Sequence, residues 1–203
     1  MPDLGLMHGH GVVAVNSKHK DVRRLKRLGY IPSIHGTKVW LSSFALMEYF
    51  EDFPIPDNVK VMDVGCGWGI MGIYLAKTFN ADVLALDADP NVAPYIALQA
   101  QLNNVDIPFR AAKLQQITQA DFNGFDTVIA ADVCFWDDLT KPLYNMIRRA
   151  LRAGVRQIII ADPGRPPFWA LTELCDGTVN AEVHRQTTDE PKLTTKHLLI
   201  IEQ

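Results

Sequence analysis

The sequence contains no apolar run that approaches the roughly 18 residues of a membrane-spanning helix, and its start, MPDLGLMHGHGVV, lacks the basic end and cleavage pattern of a signal peptide. Both absences predict a cytoplasmic protein with no membrane partner. Cysteine is scarce. Cys66, Cys134 and Cys175 are far apart and odd in number, which suits neither a disulfide framework nor a paired-cysteine zinc site and leaves buried thiols. His8, His10, His19 and His35 share no helical ligand spacing, so no metal is expected and the HGHG stretch reads as surface chain. There is no internal repeat and no low-complexity segment. A net charge of −3 gives no overall drive toward nucleic acid.

What is present is apolar content, 48% of 203 residues, enough for one large core. The predicted division is a helical extension over residues 1–53 and an α/β domain over 54–203. In the extension, KHKDVRRLKRLGY (18–30) sets Val22, Leu25 and Leu28 at helical spacing ahead of Gly29. It also clusters Lys18, Lys20, Arg23, Arg24, Lys26 and Arg27, either as a solvated helix face or as a dock for an acidic partner.

After Pro54 and Pro56 strands and helices alternate: strand 59–65, helix 69–79, strand 82–87, helix 90–103, strand 109–112, strand 125–131, helix 139–152 and strand 157–161. Asp89 and Pro90 open the second helix as N-cap and first residue, with Pro94 oddly late. Short apolar strands without polar alternation, such as QIIIA, predict a doubly wound, mostly parallel Rossmann-like sheet with helices on both faces. AEVHRQTT (181–188) and TKHLLIIE (195–202), separated by turn formers, predict a C-terminal antiparallel hairpin.

VMDVGCGWGIMG (61–72) puts Asp63 just before a glycine loop, Gly65-x-Gly67-x-Gly69, that follows a strand and opens a helix. Such loops let ligands approach bare backbone and helix amides. A dinucleotide site calls for a further glycine where Ile70 stands, and Asp63 would repel a pyrophosphate in a poorly solvated crevice. A cationic ligand reverses that sign. S-adenosylmethionine carries a sulfonium and an ammonium that a carboxylate at Asp63 favours, while helix amides can face its carboxylate. Asp87 ends the next strand about twenty residues after the glycines, where a carboxylate can accept both ribose hydroxyl protons.

Residues 61–89 resemble the first two motifs of class I S-adenosylmethionine-dependent methyltransferases, and residues 59–200 are similar to the family 16 branch, which acts on lysines of folded proteins. The narrower likeness rests on Asp132-Val133-Cys134-Phe135, on Asp162-Pro163-Gly164-Arg165-Pro166, and on GTKVWLSS (36–43) with Trp40 in the place of that branch's tryptophan. It implies cofactor binding by Gly65, Cys66, Gly67, Asp87 and Ala88, joined by Trp40, Asp63, Leu114 and Asp132. It further implies an acceptor site at Asp132 and Phe135. Three positions depart from the branch's pattern: Leu41 replaces a proline, Phe135 lacks a tyrosine hydroxyl, and Lys113 stands where an Asp or Asn commonly meets adenine.

Asp132 is expected either to orient an acceptor amine and help take its proton, or to cap a turn. Phe135 and Trp136 are expected as pocket wall or as core. DPGRPPF reads as a loop in which Arg165 forms a surface ion pair. The expected activity is methyl transfer to a protein lysine. A small-molecule acceptor remains open, as does a cofactor-holding chaperone-like module without catalysis. A nucleobase enzyme is disfavoured because ADVCF stands where an Asn/Asp-Pro-Pro-aromatic run is needed.

Overall fold

The computed structural model describes residues 5–33 and 35–203. Contrary to the wholly helical extension expected, the chain begins with a β-hairpin, β1 (Leu6–Gly9) and β2 (Val12–Val15), before α1 (Lys20–Arg27) and α2 (Ser42–Asp52). The physical reason is the two-residue loop His10-Gly11. Both residues take positive φ, 50° and 72°, the backbone of a tight hairpin turn. His10 is correspondingly not loose surface chain. Its side chain is buried, with Nδ1 3.0 Å from Glu51 Oε1 and Nε2 3.0 Å from Thr188 Oγ1.

The remaining elements are β3 (Lys60–Val64), α3 (Ile70–Phe79), β4 (Asp82–Asp87), α4 (Ala93–Asn103), β5 (Phe109–Ala111), β6 (Thr127–Ala131), α5 (Thr140–Arg152), β7 (Gln157–Asp162), α6 (Pro166–Cys175), β8 (Ala181–Thr188) and β9 (Thr194–Glu202). Seven strands form one sheet in the order β5-β4-β3-β6-β7-β9-β8. The first five are parallel, while β9 runs antiparallel between β7 and β8. This is the doubly wound sheet with an appended hairpin that the sequence predicted. Pro94 is explained too: residues 90–92 form a 3-10 turn, so Pro94 lies in the first turn of α4 proper, where a proline costs no hydrogen bond.

Alternation along each strand sends neighbouring side chains to opposite faces. Val61, Val83, Ile129 and Ile159 pack with α2, α3 and α4, whereas Met62, Val128, Ile158 and Ile160 pack with α5 and α6. The small hairpin is fastened to α4 by side chains acting as a substitute strand. Gln99 bonds Val15 N and O at 2.9 Å each, and Asn103 bonds Val13 N at 2.9 Å and Val13 O at 2.7 Å. Four edge groups of β2 are thereby satisfied, which removes an aggregation-prone edge.

Two helices were given no bounds of their own by the sequence, α2 inside the expected helical extension and α6 after β7. In α2 the side chains of 42–47, Tyr49 and Phe50 are all buried, so its apolar residues do not form the one-sided stripe that reveals a helix. At α6, Pro166 and Pro167 were read as turn formers, yet proline at the first helical positions is a start signal. No described helix is long and apolar enough to cross a membrane.

Candidate active site

The carboxyl ends of β3, β4 and β6 lie side by side and open into a cavity of about 670 Å³. The glycine loop forms its floor. Gly65 N and Cys66 N both donate to Leu86 O, at 2.8 and 2.9 Å, which ties the loop across to β4. Gly65 has φ +70°, and a Cβ there would stand 2.5 Å from Val133 Cγ1, so both backbone and space require glycine. Gly67, φ +53°, is different: nothing lies within 4 Å of a Cβ position, leaving its backbone bare toward a ligand. Its N–H donates to Asp87 Oδ2 at 2.9 Å, and Asp89 N donates to Asp87 Oδ1 at 2.9 Å. Each Asp87 oxygen therefore keeps a lone pair for a diol. Burial raises the Asp87 carboxyl above its ordinary pKa, against the pull of these N–H groups.

Asp63 lies behind the loop, buried, with Oδ2 accepting Gly72 N at 3.2 Å. It shares a small cleft with Lys38, Trp40, Gly65, Cys66 and Gly67. Burial, opposed by the Gly72 N–H and assisted by Asp87, pushes its pKa up to about 7. Among the described residues no cation pairs with it, so this carboxylate is set to gain from a positive ligand group. Burial and both aspartates push the Cys66 thiol up and keep it protonated, so Cys66 contributes shape and backbone rather than a thiolate.

Residues 30–33 and 35–40 form a strap over the cavity, and of these the sequence names only Trp40 as a binding residue. Four bonds pin it: Tyr95 Oη to Tyr30 O at 2.6 Å, Ser33 N to Asp89 Oδ2, Trp68 Nε1 to Gly36 O at 2.7 Å, and Trp40 Nε1 to His35 O at 2.8 Å. The strap brings Ile31, Ser33, His35 and Trp40 to the cavity wall. His35 stacks on Phe135 with ring centroids 3.7 Å apart and meets Trp136 edge-on at 4.3 Å. Lys38 Nζ lies 3.9 Å from the Trp40 ring centre, beside the small cleft that Asp63 also lines. Phe135 and Trp136 are cavity wall, not core; Trp136 is 50% exposed.

Asp132 lines the same cavity, but its oxygens are held. Arg165 Nη2 donates to Oδ1 at 3.0 Å and Ser42 N to Oδ2 at 3.1 Å. The residue has φ +58°, an uncommon backbone state that aspartate tolerates better than most side chains, and its N–H donates to Ala161 O at 2.8 Å. Arg165 is no surface ion pair. It is largely covered, bonds Asp162 Oδ2 at 2.6 Å as well, and lays its guanidinium 4.1 Å from the Phe135 ring centre. Both Asp132 oxygens thus serve protein donors, the bonding pattern of the turn-capping alternative that the sequence left open.

At the far end, Ala88, Lys113 and Leu114 also line the cavity. Leu114 O accepts from Arg149 Nη2 at 2.8 Å, and Lys113 N donates to Gln116 Oε1 at 2.8 Å. All the residues implied by the sequence thus converge on one crevice, with Cys66 and Asp63 on its inner cleft. The donor set fits S-adenosylmethionine: an unpaired buried carboxylate for a cation, bare backbone at Gly67, and lone pairs at Asp87 for a ribose.

Residues 61–154 match the family described as a methyltransferase domain. The human electron transfer flavoprotein beta subunit lysine methyltransferase is 29% identical over 130 residues, 64% of this chain and 49% of that protein. The wheat phosphoethanolamine N-methyltransferase 1 is 26% identical over 120 residues, 59% of this chain and 24% of that one. The chain spans about half the length of the lysine methyltransferase relatives it matches. Among solved structures, the SAM-dependent methyltransferase from Agrobacterium tumefaciens superposes with a TM-score of 0.68 at 12% identity, covering 100% of this chain and 71% of that one. That likeness, at 12% identity, is one of fold: the Rossmann-like sheet described above.

Proposed function

We propose that this chain, whose residues 61–154 match the methyltransferase domain family, is an enzyme that moves a methyl group from S-adenosylmethionine to the side-chain amine of a protein lysine. The observation that carries the cofactor half is Asp63, buried beside the glycine loop and without a cation among the described residues. When bound, the cofactor supplies an electrophilic methyl group. Asp63 and Asp87 would hold its ammonium and ribose, Lys38 its carboxylate, and Leu114 would pack on its base. Asp132 and Arg165 would fix the loop that carries Phe135 and Trp136. Aligning an acceptor in a dry aromatic enclosure supplies most of the acceleration, because methyl transfer needs no covalent enzyme intermediate.

Support for a protein lysine comes from the lysine methyltransferase relative and from the cavity mouth, where the exposed Trp136 ring offers apolar surface to a folded partner. The test is incubation with methyl-labelled S-adenosylmethionine and a lysate of the same organism. Label released by protease and not by nuclease supports the reading. Label in the small-molecule fraction, or released by nuclease, overturns the lysine acceptor; adenosylhomocysteine binding without any label would indicate a module without catalysis.

A further inference from the structure

We infer that the His35 ring sits in the seat of the acceptor side chain, inside the enclosure of Trp40, Phe135 and Trp136, and swings out when the acceptor enters. The inference rests on the reading of this cavity as a methyl-transfer site with an amine acceptor. Its location comes first. The glycine loop, Asp63 and Asp87 occupy the β3 and β4 side of the crevice, whereas His35 lies against Phe135 and Trp136, on the loop that follows β6.

The ring is packed without being satisfied. Aromatic centroids surround it at 3.7 Å (Phe135), 4.3 Å (Trp136) and 6.4 Å (Trp40), and both ring nitrogens are buried with no hydrogen-bond partner among the described residues. A histidine belonging to a core gives its donor and its acceptor a partner, and an exposed one gives them water. This ring has neither, so the seat it fills is shaped for something other than an imidazole. Walls of three aromatic faces suit an alkyl chain ending in a neutral amine. Burial, and then the charge of Arg165, lower the His35 pKa, which keeps a neutral ring in a place where a charged one would be expelled.

The backbone is anchored on either side of the ring. His35 O accepts from Trp40 and Gly36 O from Trp68, while Ser33 N is held by Asp89. Displacement is therefore a side-chain rotation that leaves the strap in place. Leaving the enclosure forfeits the stack on Phe135 but hydrates two orphaned nitrogens, and the two changes oppose each other. An incoming chain then competes with a weakly seated occupant, and its apparent affinity is reduced by the fraction of molecules in which the ring is in.

The experiment titrates Nα-acetyl-lysine amide into the adenosylhomocysteine-loaded protein, followed by tryptophan fluorescence, in wild type, His35→Ala and His35→Phe. Adenosylhomocysteine affinity and thermal midpoint are measured alongside. His35→Ala is expected to bind the probe about tenfold more tightly than wild type, since the competitor is gone. His35→Phe, which stacks as well and has no nitrogen to hydrate, is expected to bind it more weakly than wild type and to melt no lower. Equal probe affinity in all three, or no binding to a folded His35→Ala, overturns the inference. A lower midpoint for His35→Phe overturns it too, because the nitrogens would then have partners to lose. Failure of wild type to bind adenosylhomocysteine would instead remove the methyltransferase reading.

Discussion

Arg165 reaches across from the end of β7 to Asp132 at the end of β6, 3.0 Å away, while holding Asp162 at 2.6 Å. One guanidinium thus clamps two strand ends, and the loop bearing Phe135 hangs from the clamp. Asp132→Asn leaves Arg165 partly covered with one carboxylate instead of two, and losing a hydrogen bond to a charged group costs about 1–3 kcal/mol. The expected outcome is a lowered thermal midpoint together with a lowered methyl-transfer rate. Adenosylhomocysteine affinity should fall less than the rate. An unchanged midpoint with a lost rate would return Asp132 to direct contact with the acceptor.

Asp63 couples cofactor binding to pH. Its folded pKa of about 7 lies above the ordinary carboxylate value, so between roughly pH 4 and 7 the folded chain holds a proton that the unfolded chain releases. Stability from this residue is therefore present at low pH and declines as pH rises to about 7, then stays flat. Asp63→Asn should raise the stability of the free protein above pH 7 by about 2–4 kcal/mol, the scale of a three-unit shift. A ligand ammonium prefers the ionised acid, so wild-type affinity for adenosylhomocysteine should climb up to about pH 7 and then level off. In Asp63→Asn that climb should vanish and binding should weaken; calorimetry across pH 5.5–8 checks both.

Asp87 has two kinds of partner. Its oxygens already take Gly67 N and Asp89 N, and the remaining lone pairs face the cavity. Asp87→Ala should weaken adenosylhomocysteine binding by about 1–3 kcal/mol and also lower the thermal midpoint, because the glycine loop loses one of its ties to β4, the Gly67 N–H bond. Full retention of affinity would remove Asp87 from the ribose site.

The parts of the site and fold differ in how far they could be read from sequence. Asp63 and Asp87 were legible because each stands at or one residue before the end of a strand whose apolar run and following helix give its place away. Trp40 and Phe135 came through likeness to a family, not through spacing. The clamp was not legible: Asp132 and Arg165 are 33 residues apart, and only the parallel pairing of β6 with β7 makes them neighbours. The strap was missed for a related reason. Residues 30–36 have no sequence periodicity, and Tyr30, Ser33 and Gly36 are placed by single bonds to Tyr95, Asp89 and Trp68 on distant elements. The signal present for His10 was the loop His10-Gly11 between two apolar runs, where a histidine takes the left-handed state more often filled by asparagine.

α1 carries the remaining question, how a partner is recruited. Val22 is buried while Arg23, Arg24 and Arg27 are exposed, and among the described residues no ion pair engages them. Exposed charges without partners mainly set association rate and its salt dependence. Reversing all three to Glu should raise the apparent KM for an acidic protein substrate and flatten its dependence on salt, with turnover at saturation and adenosylhomocysteine affinity kept. Arg24 and Arg27 also lie in the last turn of α1, where positive charge favours the helix by about 0.3–1 kcal/mol each. The triple Gln variant separates the two effects: it loses the helix benefit without adding repulsion. If Gln and Glu variants melt alike yet differ in KM, the surface recruits substrate. A KM that stays unaltered in both variants across salt concentrations identifies α1 as a solvated face.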